Sequence, residues 1–447
     1  MAYAEKVYKV RNGKQTKQFT WRCRYKLPDG TLGSQPGFPT KRTAEDWGTQ
    51  QEAAITAGTW VDPKKAQTPF GEWVRIWKES QNSRAGTVTK RRHLLEGLLL
   101  PEFEFTPLAD VNNVFTVKAW VAKAAKPIGR HDPVTVGHAR SLLSTILTGA
   151  EDAGYIAANK LFGRKIAVGG QRASDEEQVW AQPDEAYQLY QRLGGVHGLM
   201  VLANCYTGLR WGELAGLHRD NCGVKRVDRI GRRQVVRHVI RVDPKVGSLH
   251  EDEIELDQDG LKVWHSAEDA RLEECREKGW RATRRRVPRA VVKLYLGEPK
   301  NKYSARDVDV PEFLVKLLSE HIETWPYEYP FTTPGGDFWR RGNFGKVLRP
   351  AADGRDAIAR KRGYAGRDAW KPILPRFTMR GARHTHDTWM KEDRVDRALR
   401  FATMGWVPKD IEGTYEHVTP EMRKHRLDCL QARWERGQRW AAPEVPD

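Results

Sequence analysis

Residues 377–417 set the terms for the rest of the chain. Within these forty-one residues stand five arginines, three histidines, two tryptophans and a single tyrosine. The stretch opens Phe377-Thr378-Met379-Arg380-Gly381-Ala382-Arg383-His384-Thr385-His386. It closes with Met404-Gly405-Trp406-Val407-Pro408 and then Gly413-Thr414-Tyr415-Glu416-His417. Guanidinium groups grip phosphate oxygens as a fork, and a phenol oxygen can attack phosphorus. A fold that gathers these residues at one point has the chemistry to handle a phosphodiester. Basic helices with ordinary surface side chains account for the same composition, and short motifs alone do not separate the two readings. The remainder of the chain weighs on the choice.

Lys and Arg number 76 against 58 Asp and Glu, a net charge of +18. Such a chain is drawn to polyanions, of which nucleic acid is the usual one. Its 447 residues suffice for two or three domains. The five cysteines, Cys23, Cys205, Cys222, Cys275 and Cys429, are scattered without CxxC or zinc spacing, so we expect reduced, mostly buried thiols and no bound metal. The first residues lack the apolar core of a signal peptide, and no apolar run approaches eighteen residues, so a cytoplasmic protein without a membrane partner is expected.

The fold class expected is mainly α with small β-sheets (α+β), in three modules: 1–60, 66–165 and 175–447. The first reads as a three-stranded sheet plus helix. Lys6 to Val10 forms a strand, Asn12-Gly13 turns the chain, and Phe19 to Lys26 alternates, with Phe19, Trp21, Cys23 and Tyr25 on one face. The opposite face carries Arg22, Arg24 and Lys26, which suit a major groove. A third strand spans Thr31 to Phe38, and Thr43 caps a helix to about Ala57. The second module is helical, with stripes such as Leu94, Leu95, Leu98, Leu99 and Leu142, Leu143, Ile146, Leu147. Its second helix, which ends before Pro101, presents Lys90, Arg91 and Arg92 as further DNA contacts. A solvated polar face is the other reading of these bases.

In the third module, an apolar helix from Leu199 to Cys205 runs into Tyr206-Thr207-Gly208-Leu209-Arg210-Trp211-Gly212-Glu213-Leu214. The glycine lets the chain turn, which puts Arg210 near a helix N-terminus, where phosphate binding is favourable. Strands are expected at 234–242 and 291–296, a charged helix at about 257–279 between them, and a hairpin over 297–311 with Lys300 and Lys302 near its tip. Residues 326–376 read as loop, and Pro420 to Arg436 as a basic helix.

These boxes resemble the tyrosine recombinases, the phage-integrase family, and in overall pattern the integrases of actinobacterial phages and integrative elements. Thr207 to Leu214 is similar to the first arginine box, Arg383-His384-Thr385 to the second, Met404-Gly405-Trp406 to the box that ends in histidine or tryptophan, and Tyr415 to the nucleophile. Lys302 corresponds to the hairpin lysine, with Lys300 as the alternative register. The resemblance implies that the module at 66–165 is a SAM-like core-binding domain, that 1–60 binds arm-type DNA sites, and that 175–447 is catalytic. It implies a phosphodiester clamped by Arg210 and Arg383, donation from Trp406 and Arg380, attack by Tyr415, and Lys302 as general acid. No cofactor is implied. The partners implied are double-stranded attachment sites, a homotetramer on DNA, and an excisionase or a host DNA-bending protein, in the nucleoid of a bacterial host.

Two features depart from the family pattern. Arg380 stands where the family has histidine, and arginine is a poor proton acceptor. The gap from Arg210 to Lys302 is also long, with an insertion at 246–290. These features keep open a catalytically impaired, sequence-specific DNA-binding protein. A type IB topoisomerase shares the chemistry, but the arm-like module argues against it.

Overall fold

The computed structural model describes residues 2–11, 14–58, 60–126, 128–168, 178–230, 232–255, 258–279, 283–284, 290–360, 366–407 and 417–441. Its chain divides into two compact units, Met1–Ala173 and Ser174–Asp447. Both combine helices with small antiparallel sheets, the α+β class expected.

The first unit begins with an antiparallel sheet, β1 (Tyr3–Arg11), β2 (Lys14–Lys26) and β3 (Leu32–Phe38), in the order β1-β2-β3. The alternation of β2 does what its period requires: Cys23 and Tyr25 are buried beside Ala44 of α1 (Lys41–Thr56), and Arg22 and Arg24 lie on the other face. The cap of α1 is Thr40 rather than Thr43. Thr40 Oγ1 accepts from the Thr43 backbone, and the Thr43 hydroxyl accepts from the Thr40 N–H in return.

A helical body follows, made of α2 (Pro63–Ala66), α3 (Phe70–Glu79), α4 (Ala85–Leu94), α5 (Leu100–Phe103), α6 (Leu108–Val111), α7 (Val114–Ala124) and α8 (Pro133–Asp152). Leu142, Leu143, Ile146 and Leu147 of α8 enter its core, and Trp73 donates its indole N–H to the Ile146 carbonyl at 3.1 Å. The helix expected to stop before Pro101 does not stop. A π-helical turn, Leu95–Leu99, joins α4 to α5, which contains Pro101. A proline has no N–H for the ladder, and a widened turn lets the helix pass it.

The second unit is built on α10 (Gly195–Thr207), which is buried over nearly its whole length and follows α9 (Pro183–Leu193). Next come α11 (Trp211–Ala215), β4 (Val224–Ile230), β5 (Arg233–Val242), β6 (Ser248–Glu255), α12 (Gln258–Glu277), β7 (Ala290–Gly297) and β8 (Arg306–Asp309). The hairpin expected at 297–311 is not formed. β7 pairs back onto β6, whereas β8 pairs with β5 in a sheet ordered β4-β5-β8. The lysine-bearing segment is therefore a crossing between two sheets. The insertion contains a strand, β6, that its acidic sequence conceals.

The chain ends in α13 (Glu312–Thr324), α14 (Arg341–Asp353), α15 (Met379–Glu392), α16 (Arg397–Met404) and α17 (Pro420–Ala441). α14 falls inside the stretch read as loop. Two glycines and Pro350 lower its propensity, and burial of Phe344, Leu348, Ala351 and Ala352 overrides that. α17 packs within its own unit. Trp434 stacks on Phe313 with centroids 4.3 Å apart, and a Cβ on Gly437 would stand 2.5 Å from the Pro183 carbonyl oxygen. Among the described residues, no helix is long and apolar enough to cross a membrane.

Candidate active site

Three chain reversals bring the boxes together. α10 ends at Gly208 (φ 63°), a left-handed cap that only glycine adopts without strain. Arg210 is consequently the residue that opens α11, where Glu213 Oε2 accepts from its backbone N–H at 3.0 Å. Thr378 caps α15 by accepting from the Gly381 N–H at 3.0 Å, which sets Arg380 and Arg383 on its first two turns. α16 ends at Gly405 (φ 60°), a second left-handed glycine, followed by Trp406.

The loop at 404–405 is where both arginines converge. Arg210 donates to Glu213 Oε1 (2.8 Å), Ser304 Oγ (2.9 Å) and the Gly405 carbonyl (2.7 Å). Arg383 donates to the carbonyls of Gly208 and Met404 (2.6 Å for the latter). Carbonyls leave the full positive charge on Arg383, and the contacts named occupy two of its five N–H groups. Burial first, and the charge of Arg210 second, pull the Arg383 guanidinium down to about 9. The site thus holds a cation that it penalises, and a bound anion relieves that penalty.

Glu213 is only 2% exposed and serves two arginines, with Arg306 donating to its Oε2 at 3.0 Å. Burial alone raises its pKa, but Arg306 and Arg210 outweigh burial and hold the carboxyl below its ordinary value. Arg306 also donates to the carbonyls of Thr403 (2.6 Å) and Ser304 (2.7 Å), so it braces the same loop from behind. His384 is half-buried, while His386 is fully buried. His386 Nε2 accepts from Arg426 of α17 at 3.0 Å, which leaves Nδ1–H to donate to the Cys205 carbonyl at 3.0 Å.

Arg210, Arg380 and Arg383 line one groove of about 1020 Å³. Lys300 and three bases of α14, Arg341, Lys346 and Arg349, complete a lining of seven cationic residues and no carboxylate. The α14 bases escaped the sequence reading because their helix did. A run of bases from Arg340 to Arg349 without an acid was the signal available.

The structure does not bring every expected residue into that groove. Lys302 opens a short 3-10 turn, exposed, with its ammonium 5.1 Å from the Tyr303 ring centroid. Trp406 borders a second cavity of about 630 Å³, shared with Arg210, Asn301 and Arg397. Tyr415 lies outside the described residues. In the first unit, Glu5 Oε1 accepts from Arg22 (3.3 Å) and Arg24 (3.0 Å), and Lys26 is exposed. Arg91 is held by Gln81 and Ser83 at 3.0 Å each and lies over Trp77, which gives it a packing role. Lys90 is exposed and Arg92 half-buried.

No family model matches the chain. Over 228 residues it is 28% identical to the putative prophage phiRv2 integrase of Mycobacterium tuberculosis. That match takes in 48% of this chain, which spans 57% of the length of the curated relatives it matches. Among solved structures it is similar to the Tn1549 transposon integrase in complex with transposon right end DNA, with a TM-score of 0.51 at 16% identity over 83% of this chain and 99% of that one. The same integrase in complex with a circular intermediate DNA gives 0.50 at 16% identity, over 80% and 97%. At such identity the likeness concerns the fold.

Proposed function

We propose that the chain is a tyrosine recombinase that cuts and rejoins duplex DNA at specific attachment sites through a covalent 3′-phosphotyrosyl link, a reading supported by its 28% identity to a prophage integrase and by the fold it shares with a transposon integrase. The observation that carries this is the pair Arg210 and Arg383, each donating to a carbonyl of the 404–405 loop and both lining a groove of seven cations. Attack on phosphorus builds charge on the non-bridging oxygens. Donors already fixed around that point stabilise the pentacoordinate state without reorganising. Tyr415 Oη releases its proton to solvent as it forms the new bond to phosphorus, the bond from phosphorus to O5′ breaks, and the departing O5′ takes a proton from a lysine. Lys302 is the lysine the motif names, and Lys300 is the one that lines the groove. Arg380 adds a phosphate donor, and Trp406 donates its indole N–H. The covalent bond conserves the energy of the broken phosphodiester, so a free 5′ hydroxyl reverses the step without ATP.

Integration of a phage or mobile element is the process this chemistry serves. It calls for two attachment sites and four copies of the chain, with an excisionase or a host DNA-bending protein setting direction. Arg22, Arg24, Lys26, Lys90 and Arg92 are the contacts we assign to DNA in the first unit.

The test is covalent trapping. Duplexes bound by the chain are selected from a random pool, and the selected site is nicked so that the cleaved end departs. A protein–DNA adduct on a denaturing gel with wild type, absent with Tyr415→Phe, supports the reading. Specific binding with no adduct sinks it in favour of a DNA-binding protein without cleavage. Lys300→Ala and Lys302→Ala are then compared on a substrate with sulfur at the 5′ bridging position. That leaving group needs no proton, so it restores cleavage only in the variant that lacks the general acid.

A further inference from the structure

We propose that the insertion between β5 and β8 is built into the phosphate site, and that Glu251 on its strand β6 is the positioning residue that ties the two cationic walls together. This rests on the reading of the groove above. One wall is α11, which opens with Arg210 and continues with Trp211. The other is α14, which carries Arg341, Lys346 and Arg349. A single oxygen, Glu251 Oε1, accepts from both: from the Trp211 indole N–H at 3.1 Å and from the Arg341 backbone N–H at 2.7 Å.

The second contact answers a need of α14. The first N–H groups of a helix have no partner within it, and no side chain of the flanking residue Arg340 caps this one. A carboxylate from ninety residues upstream fills that place, where the helix dipole favours negative charge. Trp211 meanwhile packs on Phe344 of α14, with ring centroids 5.4 Å apart. The two walls and β6 therefore meet at one point.

The close fit of β6 on α11 supports this further. A Cβ on Gly212 would stand 2.5 Å from the Leu249 carbonyl oxygen, and one on Gly216 would stand 2.9 Å from the Leu249 nitrogen. Leu249 is buried in the main core of the unit. α12, in contrast, buries only Glu268 among its described residues. The root of the insertion serves the site, whereas none of the described residues of α12 lines the groove.

The experiment compares wild type, Glu251→Ala and Glu251→Gln on the nicked site at saturating DNA. Adduct formation is followed in a single turnover, and DNA affinity and the unfolding midpoint are measured separately. Alanine removes the shared acceptor. Its rate should fall about 10–100-fold, the cost of a small misplacement of reacting groups. Affinity should change by less than about threefold, because the surface cations remain. Gln retains an oxygen for both donors and should recover most of the rate. An alanine variant that is folded and forms adduct at the wild-type rate overturns the proposal, and so does a glutamine variant as slow as alanine. Wild type that forms no adduct fails the cleavage reading instead, so the two failures are told apart.

Discussion

Gly405 and Gly208 are the residues with the least freedom around the site. Both sit at positive φ, and both lack room for a methyl group. A Cβ on Gly405 would meet the Tyr303 carbonyl oxygen at 2.9 Å and an Arg210 guanidinium nitrogen at 3.2 Å. Gly405→Ala should therefore cost about 1–2 kcal/mol of stability from the left-handed backbone alone. It should slow adduct formation more than tenfold by about the misplacement effect, because Arg210 is displaced. Denaturant unfolding and a single-turnover trap measure the two effects. His386 carries a pH prediction. Burial first, and Arg426 next, hold its pKa well below 6.5. A base depressed in the folded state gives its stability above the unfolded pKa and loses it as pH falls toward the folded one. The urea midpoint should thus drop as pH falls below 6.5, and His386→Gln should flatten that drop.

Among elements, α14 and α17 decide most. α14 is a poor helix by propensity that exists because its Phe344 and Leu348 face is buried, and its exposed face supplies three groove cations. α17 is anchored by Arg423 on Asp309 (3.1 Å), by Arg426 on His386, and by Arg433 on Asp393 (2.7 Å) and Glu392 (2.8 Å). Its apolar counterpart is Trp434, packed among Tyr187, Tyr206 and Phe313. Trp434→Ala should destabilise the second unit by about 3–5 kcal/mol. An unfolding midpoint within error of wild type would show that α17 is not part of that core. Loosening α17 should also lower cleavage, since it follows directly on the segment that contains Tyr415.

For the whole molecule, charge is the governing quantity. A net +18, with seven cations in one groove and Arg22, Arg24 and Lys26 on a strand of the first unit, makes the proposed DNA binding largely a matter of counterion release. If six to ten phosphates are neutralised, affinity should fall roughly 10³–10⁵-fold between about 50 and 200 mM salt. Titrations across that range measure the slope, and a fall of less than tenfold would contradict a groove that works by phosphate contact. The pairing of Arg22 and Arg24 with Glu5 offers a finer check. Glu5→Gln should raise affinity for DNA, because phosphate no longer competes with a carboxylate for those two arginines.

What the amino-acid sequence determined by itself was local. The alternation of Phe19 to Lys26 sorts its faces by period alone, the leucine stripes of α8 mark a buried side, and Gly208 before Arg210 announces a turn into a helix. Each signal comes from residues a few positions apart, and for each the reason is steric or hydrophobic at that range. The tertiary structure decided the pairing of β8 with β5 rather than β7, the existence of α14, and the meeting of Trp211 and Arg341 on Glu251. These choices rest on contacts between residues far apart in the chain, and burial selects among alternatives that propensity leaves equal or disfavours. The order of the boxes carried the resemblance to a family and named its arginines. Which lysine lines the groove, and which helix forms its second wall, followed only once distant segments were packed.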